Sequence, residues 1–201
     1  VGSLLTEFKN KNERIGKSNL FILESCEYQE AFLNYQPKII LLNNIEPEHL
    51  DYFKTAENYL AAFQKFIHQL PSDGLLIANL DDVNVQQIII QNPHIKTITY
   101  GYNPESDYQI KDQQIIHQQK SFDLNIFLPG QHNVFNATAV IALSDYLQLD
   151  RSKSIQAISE FRGANRRFEI KGKIGQTTII DDYGHTPTEI QATLSGVKQF
   201  F

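Results

Sequence analysis

The sequence has a single cysteine, Cys26. No internal disulfide can form, which fits a reducing compartment. No apolar run approaches the roughly 18 residues that a membrane helix needs, and no signal-peptide pattern opens the chain. Basic charge is scarce, because 18 Lys and Arg stand against 23 Asp and Glu, a formal net charge of -5. That balance argues against nucleic acid as the main partner, since no basic stripe is present to neutralise phosphates. Acidic small molecules stay open, because they need only a local cluster of Arg or Lys. Methionine is absent, and the first residues, from Val1, already look like the interior of a domain. The expectation is a segment of a longer protein. No internal repeat or low-complexity tract occurs, although Gln is frequent between residues 86 and 119.

What is present is enough chain, 201 residues, for one large domain or one and a part. The stretch that organises it is Ile39–Leu42 followed by Asn43-Asn44-Ile45-Glu46-Pro47-Glu48-His49-Leu50-Asp51. A short run of β-formers ends in a polar turn, and a helical pattern follows from about Thr55 to Leu70. In open α/β sheets ligands gather beyond the carboxyl ends of the strands, which is where this loop falls. Glu46, Glu48 and His49 together suit either a divalent cation or proton transfer. The same residues also suit a solvated helix entry, with acids near a helix N-terminus and Pro47 in a turn.

Before that unit, Leu4–Ser18 reads as loop, and Leu20–Leu23 as a buried strand ending at Glu24. If that strand lies beside Ile39–Leu42 in a parallel sheet, Glu24 and His49 converge on one ion. Gly16-Lys17-Ser18 imitates the tail of a phosphate-binding loop. The pattern G-x-x-x-x-G-K-[ST] would put its first glycine at Lys11, and a strand rather than a helix follows, so it is rejected.

After the helix come a turn at Pro71–Gly74, a strand at Leu75–Asn79, a helix from Asp81 and Asp82 to Gln91, and a strand at Ile95–Tyr100. These alternations predict a mostly parallel sheet flanked by helices. Between Tyr108 and Leu128 apolar and polar residues alternate without a helix, for example Phe122, Leu124, Ile126 and Leu128, which predicts small antiparallel strands added to that sheet. Pro129–Asn133 stops them, and helices follow at about Val134–Leu147 and Ser152–Phe161. Arg162–Asn165 reads as a domain boundary, dividing residues 1–163 from 164–201. Beyond it, strands at Arg166–Ile174 and Thr177–Ile180 and a helix from Thr188 make a β-β-α start of a second domain.

Three separated stretches resemble the Mur ligases, ATP-dependent amide-forming enzymes that assemble the peptidoglycan peptide. Glu24-Ser25-Cys26-Glu27-Tyr28 with Phe32-Leu33 is similar to the family's E-A-D-E segment. Asn43–Asp51 is similar to T-N-I-E-x-D-H-L-D. The third comprises Gly130-Gln131-His132-Asn133-Val134-Phe135-Asn136-Ala137 and the run Phe161–Glu169 leading to Asp181-Asp182-Tyr183-Gly184-His185-Thr186-Pro187-Thr188-Glu189. Each motif is weak alone; all of them in order, across nearly the whole chain, are specific. The resemblance implies a P-loop-like central ATP-binding domain over 1–163 and the beginning of a Rossmann-like, amino-acid-binding C-terminal domain over 164–201.

It also implies ATP and Mg²⁺ as cofactors, UDP-N-acetylmuramate and L-alanine as substrates, and a cytoplasmic reaction through an acyl phosphate. By the same resemblance Glu24 and His49 are metal ligands, and His132, Asn133, Asn136, Arg167 and Asp182 bind the nucleotide. His49, Arg167 and His185 serve the chemistry. Read alone, Asn133 and Asn136 also suit helix capping. Departures occur where Cys26 replaces an acid, Glu48 replaces Asp, and Thr186 stands in place of a second histidine. The lysine that other Mur ligases carbamoylate has no counterpart among Ala61, Ala62, Phe63 and Gln64. That fits the L-alanine ligases and a recycling ligase that joins a whole tripeptide to the same sugar. A non-catalytic binding relative would carry the same fold, and folylpolyglutamate synthetase resembles the pattern more distantly. The sequence contains neither the family's UDP-binding domain nor its G-T-H-G-K-T loop, so the isolated chain is expected to lack ligase activity and to bind ATP weakly or not at all.

Overall fold

The structure, a computed structural model, describes residues 2–5 and 8–201. Two compact units are formed, one from Ser25–Asn125 with Val134–Ile158 and the other from Val1–Glu24, Ile126–Asn133 and Ser159–Phe201.

The larger unit carries a six-stranded sheet in the order β1-β2-β3-β4-β5-β6, with β1 Ile39–Leu42, β2 Leu75–Asn79, β3 Thr97–Gly101, β4 Tyr108–Lys111, β5 Gln114–His117 and β6 Lys120–Asp123. The first four strands are parallel, and β4-β5-β6 is an antiparallel meander. Every residue of β2 is buried, the pattern of a central parallel strand covered on both faces. Helix α1 (Leu50–Phe53) is a single turn. Helix α2 (Ala56–Ile67) buries Tyr59, Ala62, Phe63, Phe66 and Ile67, one stripe at helical spacing. Its N-terminus is capped by Thr55, whose hydroxyl accepts the Asn58 N–H at 3.2 Å. Helix α3 (Val83–Gln91) is capped by Asp82, which accepts from the N–H groups of Asn84 and Val85.

Against α2 packs a 3-10 helix, Tyr28–Asn34, kinked by positive φ at Gln29 and Glu30. Phe32, 1% exposed, stacks on Phe66 at 4.5 Å and meets Phe63 edge-on. Lys65 pairs with Glu30 at 2.7 Å, and Gln69 donates to the Leu33 carbonyl. The segment is therefore docked by an aromatic anchor and two polar ties.

Parallel neighbours usually need a crossover of a dozen or more residues, yet β3 and β4 are joined by residues 102–107 alone. Two carboxylates replace the missing crossover. Asp81 accepts the N–H groups of Tyr102 and Asn103, and Asp107 accepts from both the N–H and the hydroxyl of Thr99. Gly101 is required at this bend, since its φ is +151° and a Cβ would lie 2.8 Å from Asp81 Oδ1.

Helices α4 (Gln131–Tyr146) and α5 (Arg151–Glu160) follow the sheet. The smaller unit contains the antiparallel pair β7 (Glu169–Ile174) and β8 (Thr177–Asp181) and helix α6 (Pro187–Phe200). Phe127, Phe168 and Phe200 form its aromatic cluster.

The expected architecture is present: a mostly parallel sheet with helices, a small antiparallel addition and a β-β-α stretch. Two local expectations need correction. Leu20–Leu23 is not a strand; Phe21 is 85% and Ile22 80% exposed, and these residues pair with no strand among the described ones. An apolar run becomes a strand only where a ladder partner satisfies its backbone. The alternation through Leu128 stops at Asp123 as strand, and β4 is parallel to its neighbour β3. Of the loop expected over Leu4–Ser18, Thr6 and Glu7 lie outside the described residues, and the remainder holds isolated bridges from Leu5 to Lys11 and to Ala164.

Candidate functional site

Two groups of candidate side chains are built, one in each unit. In the larger unit, the loop after β1 brings His49 to the head of α1 in a left-handed conformation, φ 53° and ψ 42°. A non-glycine residue there is strained by about 1–3 kcal/mol, a cost that clusters at functional sites. The imidazole lies against Tyr28, with ring centroids 4.7 Å apart, and its Nε2 is 3.4 Å from Glu27 Oε1. Glu27, Glu48 and His49 together offer ligand atoms all within 4.8 Å of one another. Two hard carboxylate oxygens and one borderline imidazole nitrogen are a donor set that fits a divalent cation.

Glu27 is the carboxylate that meets His49, and reading the sequence missed it. The expected route was two neighbouring strand ends, but the 3-10 helix delivers Glu27 instead: Phe32 N–H bonds to the Cys26 carbonyl, and Glu30 N–H to that of Glu27. The signal available was Glu27's place in the acidic segment, one turn before an aromatic anchor. Glu24 belongs to the smaller unit, where its carboxylate accepts the Gly2 N–H.

The loop is tied to the sheet by further polar contacts. Asn84 donates to the Ile45 carbonyl at 2.7 Å, and Tyr100 donates to Asn43, which in turn donates to Asn136 on α4. Asn136 is thereby brought to the end of β1, and its role is not capping, because it lies within α4.

In the smaller unit, Asp182 accepts the backbone N–H groups of Phe168 and Gly184, each at 2.8 Å. Burial raises its pKa, but these bonds, a hydroxyl bond from Thr193 and the nearby Arg167 charge outweigh it, so the carboxyl is held below its ordinary 3.8. Arg167 lies 3.9 Å from Glu189 and over the ring of Tyr183. Thr186 forms a capping box with Glu189 at the start of α6: its hydroxyl accepts the Glu189 N–H, while Glu189 Oε2 accepts the N–H groups of Thr186 and His185. A threonine where the family pattern has histidine is thus explained by helix initiation. His185 Nδ1 lies 3.5 Å from Glu189, which spans His185 and Arg167.

His132 closes over Gly130, where φ is +100° and a Cβ would sit 2.7 Å from the ring. Although the side chain keeps an exposed edge, crowding by protein lowers its pKa below 6.5, against the pull of Asp182 and with the help of Arg167. The neutral ring accepts from Asn133, whose NH₂ also donates to the Pro129 carbonyl. The Asn133 NH₂ is consequently engaged within its own turn.

The fold and these two groups define a family. Residues 4–144 match the description "Mur ligase middle domain" and residues 166–201 "Mur ligase, glutamate ligase domain". The chain belongs to the Mur ligase family. It is 41% identical over 202 aligned residues to the UDP-N-acetylmuramate–L-alanine ligase of Clostridium tetani, covering 95% of this chain and 44% of the relative. To the enzyme of the same name from Caldanaerobacter subterraneus it is 39% identical, covering 94% of this chain and 43% of the relative. The crystal structure of UDP-N-acetylmuramate-alanine ligase from Thermotoga maritima superposes with a TM-score of 0.69 at 30% identity, covering 86% of this chain and 40% of that one. The chain therefore spans less than half the length of these relatives. No helix among the described residues is long and apolar enough to cross a membrane.

Proposed function

We propose that this chain supplies nucleotide- and metal-binding parts of an ATP-dependent ligase that joins L-alanine to UDP-N-acetylmuramate in the cytoplasm. Residues 1–163 are assigned to its central domain and 164–201 to the start of its amino-acid-binding domain. The observation that carries the reading is the Glu27, Glu48 and His49 donor set on the loop beyond β1. His49 would hold one magnesium, with Glu27 and Glu48 beside it, and Glu24 is assigned to a second magnesium that would serve the nucleotide phosphates. Bound there, Mg²⁺ would neutralise charge on the transferring phosphoryl group.

The chain's own residues do the rest by position and charge. The Arg167 guanidinium is a planar donor fork suited to phosphate oxygens, and Glu189 orients it. His132 and Asn136 are assigned to the adenine and ribose, Asn133 to the turn that presents them, and Asp182 to the ribose side. His185 is assigned to the incoming amino group, its Nδ1 lying against both Glu189 and the Tyr183 carbonyl. In the reaction a carboxylate oxygen of the sugar acid attacks the terminal phosphorus of ATP and ADP leaves. The alanine amine then attacks the acyl carbon, gives up a proton, and phosphate leaves as the amide forms.

Two measurements test this. Titration with Mg²⁺ or Mn²⁺, followed by NMR or paramagnetic broadening, is expected to show a site weakened roughly ten-fold or more in Glu27→Gln and in His49→Ala. Unchanged binding in both variants removes the cation from this loop. The 201-residue chain, whose sequence has no G-x-x-x-x-G-K-[ST] loop, is expected to release no phosphate from ATP with UDP-N-acetylmuramate and L-alanine. A polypeptide extended to the length of the relatives is expected to do so with L-alanine. Preference for a tripeptide there would transfer the assignment to the recycling ligases, and inactivity with both would leave a binding relative.

A further inference from the structure

Buried phenols need a partner for their hydroxyl, and two find one in the larger unit. Tyr108 donates to Asp145 Oδ2 at 3.0 Å. Tyr100, on β3 with no exposed surface, donates to Asn43 Oδ1 at 2.7 Å. Burial first, then the charges of Asp82 and Asp81, raise the Tyr100 pKa, so the phenol stays neutral and keeps its proton to donate.

The consequence travels outward. With its oxygen held by Tyr100, Asn43 turns its NH₂ to Asn136 and donates to Oδ1 at 3.0 Å. Asn136 is exposed on α4, and its own NH₂ makes no hydrogen bond among the described residues. The relay joins residues 57 and 93 positions apart, at β3, at the end of β1 and on α4.

We propose that Tyr100 is a positioning residue that acts through Asn43 to fix the Asn136 amide, so that its NH₂ is the group offered to a ligand. The ligand group this suits is a hydrogen-bond acceptor, such as a ring nitrogen of a purine base. The inference rests on the nucleotide reading above and adds the polarity of one contact to it. A free asparagine amide presents oxygen or nitrogen by turning half a revolution. The relay removes that choice before the ligand arrives, which lowers the ordering cost of binding.

The test uses the whole ¹⁵N-labelled chain, with Tyr108→Phe as a matched control that also deletes a buried phenol hydroxyl. In the unsubstituted chain the Asn136 side-chain NH₂ is expected to be rigid by its heteronuclear NOE. Tyr100→Phe should make it mobile, and Tyr108→Phe should leave it as it is. On the same samples Tyr100→Phe should weaken ATP about three- to ten-fold, the range of one ordinary hydrogen bond, and leave inorganic tripolyphosphate unaffected. An Asn136 signal unmoved by Tyr100→Phe overturns the proposal. Equal weakening of ATP and tripolyphosphate overturns the base-reading half of it. If the unsubstituted chain shows no shift with millimolar ATP, the nucleotide reading fails for this chain, while a loosened amide in Tyr100→Phe still supports the relay.

Discussion

Phe32→Ala is expected to cost about 3–5 kcal/mol of stability, the range for deleting a buried aromatic side chain and leaving a cavity. Phe32 is the anchor of a short segment that has little else: it fills the space between Phe63 and Phe66, and its own N–H closes the turn at Cys26. Removing the ring leaves the Lys65–Glu30 pair and the Gln69 contact, and an exposed ion pair contributes at most about 1 kcal/mol. The cost should therefore appear twice. Urea unfolding of the larger unit, followed by tyrosine fluorescence, should shift to lower denaturant. Divalent-cation binding at Glu27 and His49 should weaken even where the protein is still folded, because Glu27 enters the cluster only through this segment. A variant that loses less than about 1 kcal/mol, or that keeps full cation affinity, would show the segment to be held by other means.

Asp182→Ala should unfold the smaller unit first. The carboxylate satisfies two backbone N–H groups, at Phe168 and Gly184, and connects the start of β7 to the loop before α6. Leaving those donors without a partner costs roughly 2–3 kcal/mol in a partly buried setting. Acid should reproduce the effect. The Asp182 pKa is lower in the folded chain than its ordinary 3.8, so its contribution is complete above that value and disappears as pH falls through the folded one. Glu189 behaves alike: burial raises its pKa, but the His185 and Thr186 N–H bonds bring it below 4.5. His132 acts earlier and in the same direction, because its folded pKa lies below 6.5, so protonation favours the unfolded chain from about that pH downward. Thermal unfolding between pH 7 and pH 3 should thus show a shallow loss beginning near 6.5 and a steeper one below about 4. His132→Gln should remove the shallow part alone. A melting temperature flat across that interval would contradict both assignments.

How much of this was legible depended on whether the signal was local. Leu75–Ala78 is an uninterrupted apolar run between a turn and a capping pair, and with Asn79 it became β2 because both faces are covered. The helical stripe from Tyr59 to Ile67 was equally plain. Leu20–Leu23 is just as apolar and became no strand, since composition offers no partner. Tyr28–Asn34 was invisible for a different reason: Gln29 and Glu30 adopt positive φ, which neither residue type advertises. Among the candidate site residues, His49 and the Asp182–His185 loop stand out by pattern. Glu27, Asn43 and Tyr100 do not, because their contacts are made across space, 57 residues in the case of Tyr100 and Asn43.

The covered core strand also has an implication for specificity. Where a strand is buried on one face only, a slip by one residue throws its apolar side chains into water and is strongly resisted. β2 is buried throughout, so sliding it against β1 or β3 would forfeit little burial. Alignment must then be fixed at the strand ends, by Asp82 accepting the Ile45 N–H and by Tyr100 donating to Asn43. Loss of the Asp82 carboxylate would accordingly loosen the alignment of β1 against its neighbours, whereas Tyr100→Phe keeps the buried ring and removes a single tie.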